Sequence, residues 1–146
     1  MLTAYTRLKD ILATTETKLL AISGADASVK LDVLKWSKKE ILGHLIDSAS
    51  NNHQRFVRMQ IENNTSLPKY RQNEWVEVQH WQQKDWKDII AFWQLFNEHI
   101  LHIFNHVDAS TLQNTIVLGT TPFTLQFIID DYVDHMEHHL MQIFGE

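Results

Sequence analysis

The chain has 146 residues, 44% of them hydrophobic, which suits one domain with a buried core spanning 1–146. It has no cysteine, so a disulfide framework, a thiolate zinc site, an iron–sulfur cluster and a thiol nucleophile are all excluded. Its net charge of −5 lacks the basic excess of a non-specific nucleic-acid binder, and no run approaches the ~20 apolar residues of a spanning helix, so no nucleic acid, no membrane and a cytoplasmic location are expected.

From about Thr3 to Ile22, Leu8, Ile11, Leu12, Thr15 and Leu19 recur at helical spacing, and Ser23-Gly24 ends the segment. After a connection through Trp36, Ser37-Lys38-Lys39-Glu40 reads as a capping box, in which a hydroxyl and a carboxylate satisfy free backbone N–H groups. The second helix runs from there to about Ile61, where Asn63-Asn64 and Ser66-Leu67-Pro68 stop it. Pro68 to Lys84 is polar and aromatic, with Tyr70, Trp75 and Trp81. It reads as an ordered loop with a helical turn around Glu74–Gln79. The third helix spans about Asp85 to Val107, with Ile89, Trp93, Phe96, Ile100 and Val107 on one side. A short extended piece at Thr115–Leu118 follows. Thr121-Pro122 then reads as N-cap and first residue of a fourth helix ending near Phe144. Four amphipathic helices predict an all-α four-helix bundle with a long connection between the second and third.

Nine histidines are many for this length, and their faces differ. On the fourth helix, Tyr132, His135 and His139 fall within ~40° of Ile128, inside the apolar stripe. Two inward imidazoles at i and i+4 can clasp one cation. They can also be ordinary core histidines bonded to neighbours. The block His135-Met136-Glu137-His138-His139 is not the HExxH motif, and Glu137 points away from His135. His138 lies at the flank. On the second helix, His44, Ser48, Asn51 and Arg55 form a polar stripe beside the apolar side, free of lysine and glutamate. Such a stripe can line a cleft, with His44 at its deep end. On the third helix, His99, His102 and His106 fall opposite the apolar face and are expected in solvent. His53 and His80 have no partner at ligand spacing and are read as surface residues.

Two stretches carry a family likeness. One is Trp36-Ser37-Lys38-Lys39-Glu40-Ile41-Leu42-Gly43-His44-Leu45-Ile46-Asp47-Ser48. The other runs from Tyr132 through His135 and His138-His139 to Gln142-Ile143. In order and spacing they resemble the DinB/YfiT-like family of bacterial four-helix metal-binding proteins. The resemblance implies His44, His135 and His139 as metal ligands, an up-down-down-up bundle that is often dimeric, and a divalent metal at one end of a cleft. It also implies either of two activities. Some relatives are transferases or isomerases that use low-molecular-weight thiols such as bacillithiol or mycothiol, and others are described as metal-dependent hydrolases.

Three neutral imidazoles suit zinc, nickel, copper or iron and leave coordination positions open. The expected function is therefore a metal-dependent enzyme, hydrolase or thiol S-transferase, acting on a small molecule. Ser48, Asn51 and Arg55 are the candidate substrate contacts, with Arg55 suited to an anion. Tyr70, Trp75 and Trp81 are candidates to roof the cleft, and Asp131 to orient a ligand histidine. The alternatives are a non-catalytic metal-binding or stress-related bundle and a metal-free interaction bundle.

Overall fold

The computed structural model describes residues 2–145. Four long helices dominate: α1 (Leu2–Leu20), α3 (Lys38–Ile61), α5 (Trp86–His106) and α6 (Leu125–Phe144). Shorter pieces join them: α2 (Gly24–Ala27), β1 (Thr65–Leu67), α4 (Gln72–Val78), β2 (Thr115–Leu118) and β3 (Thr121–Thr124). The expected apolar stripes form the core. Leu8, Leu12 and Leu19 of α1, Phe56 of α3, Trp93 and Ile100 of α5, and Ile128 of α6 are all buried. The capping box at Ser37 and Glu40 is present in both directions.

Helix directions follow from contacts at the ends. β1 follows α3, β2 follows α5, and the two strands pair in parallel. The C-termini of α3 and α5 therefore share one end of the bundle, and the Asn114 side chain donating to the Met59 carbonyl ties them there. β3 returns antiparallel to β2 and leads straight into α6, which runs back. α1 runs alongside α6, since Arg7 meets Asp134 and Glu137 while Lys18 lies over the Phe144 ring. The order is up-down-down-up. Both α1 and α3 pack on α5 and on α6, so α1 and α3 take opposite corners.

The fourth helix starts later than Thr121. Thr121–Thr124 extends as β3, and Thr124 caps α6 by accepting from the Phe127 amide. Gly119, at φ +66°, allows the tight reversal between β2 and β3. Pro122, which cannot donate, sits on the edge strand, where a missing N–H costs little. The short α2 and β1 also form in stretches that read as connections. Among the described residues no helix is long and apolar enough to cross a membrane.

Parallel α3 and α5 force residues 62–85 to travel back along the bundle. This crossover carries α4 and packs on α3. Trp81, near its end, is buried and lies flat on Gly43. A Cβ at Gly43 would sit 2.3 Å from the Trp81 ring. The indole N–H donates to Asp47 one turn on. The Gln79 amide donates to the other Asp47 oxygen. Gln82 also accepts from the Ser37 hydroxyl and donates to the Ser28 carbonyl.

Gly43→Ala tests this contact. Helix propensity alone favours alanine by ~1 kcal/mol. Overpacking against a buried ring costs ~1–3 kcal/mol or more. The expected outcome of urea unfolding is net destabilisation, opposite in sign to the propensity effect.

Candidate metal centre

The capping box fixes where α3 begins, and so which face each later residue occupies. His44 lands on the face toward α6 and is fully buried. His135 and His139, one turn apart on α6, are half-buried and meet it. One ring nitrogen from each of the three lies within 4.8 Å of those of the other two. The Nε2 atoms of His44 and His135 are 3.1 Å apart. The three ring centroids are mutually 4.5–5.0 Å apart, at steep angles to one another. Sequence periodicity puts His135 and His139 inside the apolar stripe of α6 and His44 on a polar stripe beside the apolar side of α3, and the fold brings the three rings together.

Burial sets their charge state. Desolvation, reinforced by the neighbouring imidazoles, pulls His44 down to about 3 and His135 to about 4, and lowers His139 as well. All three rings are neutral at pH 7, with lone pairs to offer. In His139, Nδ1 faces the amide oxygen of Gln142 at 2.8 Å. An amide oxygen only accepts, so Nδ1 carries the proton and Nε2 is free. The Gln142 amide in turn donates to His138 Nε2. Trp36 packs on the His44 ring at 4.8 Å.

The residues fit a divalent cation. Nitrogens ~2.1 Å from one ion are ~3.0–3.4 Å apart at ligand angles between right and tetrahedral; the His44–His135 pair already has that spacing, and the third nitrogen, within 4.8 Å, would close in on a bound ion. His44 gives the second sign. Its Nε2 is buried and faces another imidazole nitrogen at 3.1 Å in place of a carbonyl, carboxylate or hydroxyl, the arrangement of two lone pairs that a shared cation would satisfy.

Beside the triad lies a polar cavity of about 300 Å³. Ser48, Arg55, Tyr70, Asp131 and His135 are among the residues that line it. Tyr70 hydrogen-bonds Ser48. Arg55 donates to Asn52, and it faces Asp131 and Tyr70 electrostatically. Asn51 is not among the lining residues; it donates to the Asp47 carbonyl, and Asn52 lines the cavity instead. Of the three aromatics, Tyr70 reaches the cavity, Trp75 packs edge-on against it, and Trp81 is committed to Gly43 and Asp47. Glu137 points away as expected and pairs with Arg7.

Asp47 is the residue that sequence reasoning passed over. It is buried, and desolvation pushes its carboxyl up to about 6 against the pull of its Gln79 and Trp81 bonds. Its position one turn after His44, within the inward face of α3, was the available signal. His99, His102 and His106 are exposed as expected. His53 is half-buried and packs against His99 and Phe96 of α5.

A family model described as the DinB superfamily matches residues 7–143. The chain belongs to the DinB superfamily. The fold also matches YfiT from Bacillus subtilis, with a TM-score of 0.88 and 17% identity over 98% of this chain and 83% of that one. That protein is described as a probable metal-dependent hydrolase with an unusual four-helix bundle topology. No curated protein matches the chain. At that identity the likeness to YfiT establishes this DinB-superfamily chain's fold, and the histidine geometry must carry its own chemistry.

The depressed histidines make the chelator-treated protein acid-sensitive. Their folded-state values lie below the unfolded 6.5, so the stability they contribute is present above pH 6.5 and is lost as pH falls toward 3–4. Asp47 acts oppositely: raised from 3.8 to about 6, it is relieved of a penalty as pH drops through 6. The larger, multiple histidine shifts decide the sign. The urea midpoint at pH 5 is expected to fall below that at pH 7.

Proposed function

We propose that this DinB-superfamily chain is a metal-dependent hydrolase of a small molecule, with His44, His135 and His139 as the ligands of a divalent cation. The observation that carries this reading is the triad: three neutral imidazoles within 4.8 Å, from two helices, beside a polar cavity. The likeness to YfiT, described as a probable metal-dependent hydrolase, agrees with it. Three nitrogens leave coordination positions for water and substrate. When bound, such a cation supplies Lewis acidity and lowers the pKa of water.

The chain's own residues do the rest. His44 is held from α3 by the packed crossover and Trp36. Gln142 holds the His139 proton on Nδ1, which leaves the Nε2 lone pair free. Ser48 and Tyr70 present hydroxyls to the cavity, and Arg55 presents a guanidinium that suits a carboxylate or phosphate. A low-molecular-weight thiol in place of water would turn the same site to S-transfer.

Elemental analysis of protein made without a histidine tag tests the ligands. Wild type is expected to retain about one equivalent of metal. His44→Ala/His139→Ala is expected to lose it and to keep its helical circular dichroism. Equal metal in both proteins would refute the site. Gln142→Leu should weaken metal binding by ~10–100-fold, the usual effect of removing a partner of a ligand histidine. Turnover of ester and amide substrates, with and without added thiol, then separates hydrolysis from transfer.

A further inference from the structure

A second cavity, about 750 Å³, opens on the other side of the triad. Its lining includes Trp36, which packs on His44, and Gln142, which bonds His139. The two cavities fall in order along the elements that build them. On α3, Ile41 lines the larger cavity, His44 follows, then Ser48 and Arg55 line the smaller. On antiparallel α6 the order reverses as it should: Gln142, then the ligand histidines, then Asp131. The crossover repeats it, with Asn73 over the larger cavity and Tyr70 over the smaller. The cavities thus flank the triad as two arms, the larger reaching it through Trp36 and Gln142 and the smaller through His135.

The arms differ in chemistry. The larger arm has an apolar wall from Val29, Leu31, Leu34, Trp36 and Ile41, with Lys35, Lys38 and Asp26 beside it. Leu31 and Leu34 are each 92% exposed. Leaving two leucines in water is unfavourable compared with covering them. The smaller arm holds Arg55 and Lys69 against Asp131, a net single positive charge among hydroxyl and amide donors.

From this we infer the substrate class: an elongated molecule with an apolar arm and an anionic arm, a carboxylate or phosphate, whose reacting bond lies between them at the triad. This rests on the metal reading and adds to it what each arm selects. Adjacency to the triad, through Trp36 against His44 and Gln142 against His139, assigns the apolar wall to the ligand of this site.

Calorimetry with hydroxamates, which chelate the cation directly, tests the assignment on zinc-loaded protein. The probes are acetohydroxamic acid, octanohydroxamic acid, N-acetyl-N-hydroxy-β-alanine and N-hydroxy-N-octanoyl-β-alanine. Each arm is expected to tighten binding by at least about tenfold, or 1.4 kcal/mol. Arg55→Gln should remove only the gain from the carboxylate. Asp131→Asn, an exposed change that leaves folding intact, should increase it. Leu31→Ser/Leu34→Ser should remove only the gain from the alkyl chain. Four probes of equal affinity, or variants that weaken all probes alike, would overturn the inference. So would a dimer that dissociates in the leucine variant with alkyl affinity unchanged, which assigns the apolar wall to a second copy of the chain. If wild type takes up none of zinc, nickel, copper or iron, the metal reading itself has failed and this inference falls with it.

Discussion

The constraint on which the structure depends is that two helices consecutive among the long ones, α3 and α5, lie side by side and parallel. Antiparallel neighbours need only a short turn, but parallel ones need a return path as long as the helix. Residues 62–85 provide it, and they are laid along α3. Trp81 fits only because Gly43 has no side chain, and its N–H shares the buried Asp47 carboxylate with the Gln79 amide. The same segment brings Tyr70 over the face that carries His44 and Ser48. The topology therefore makes the cleft: the connection that closes the bundle is also the roof of the site.

Neutrality of the triad follows from the same packing. Three imidazoles in mutual contact cannot all be protonated, and burial removes the water that would screen them. The resulting set of lone pairs has an uneven setting. His44 is fully buried, whereas His135 and His139 are partly open. The α3 side thus supplies a fixed floor and the α6 side the access. A site buried equally on both sides would bind an ion without admitting a guest.

Much of this was legible in the sequence because helical periodicity is a local property. The Ser37–Glu40 box set the start of α3, and the wheel separated inward His135 and His139 from outward His99, His102 and His106. The parts that were not legible are those decided by distant segments. Thr121-Pro122 has the chemistry of a helix start, yet pairing with Thr115–Leu118 takes those residues into a strand and moves the cap to Thr124. Local preference gave way to a tertiary hydrogen-bond ladder. Asp47 looked like one more polar residue on α3. Only the return of Gln79 and Trp81, some thirty positions on, makes it a buried acceptor. Asn51 and Asn52 differ by ~100° of helix rotation, a resolution at which a stripe read from one helix cannot say which neighbour faces the cleft.

The outer face of α6 is tied to α1 by one guanidinium. Arg7 of α1 forks onto Glu137 with two bonds and reaches Asp134 with the same guanidinium. Both carboxylates also hold the Arg7 charge firmly in place, raising its already high pKa. Such a pair on a half-exposed surface adds little to stability. Its position is more informative than its energy. Asp134 and Glu137 bracket His135 in sequence and point away from it, by ~100° and ~160° of helix rotation. A bidentate clamp there resists rotation of α6 about its axis, and a rotation of one residue would turn His135 and His139 ~100° out of the cleft. The buried stripe of Ile129, Tyr132, Val133, Met136 and Ile143 sets which way α6 faces, and the Arg7 clamp on its outer side works in the same direction, keeping His135 and His139 toward His44.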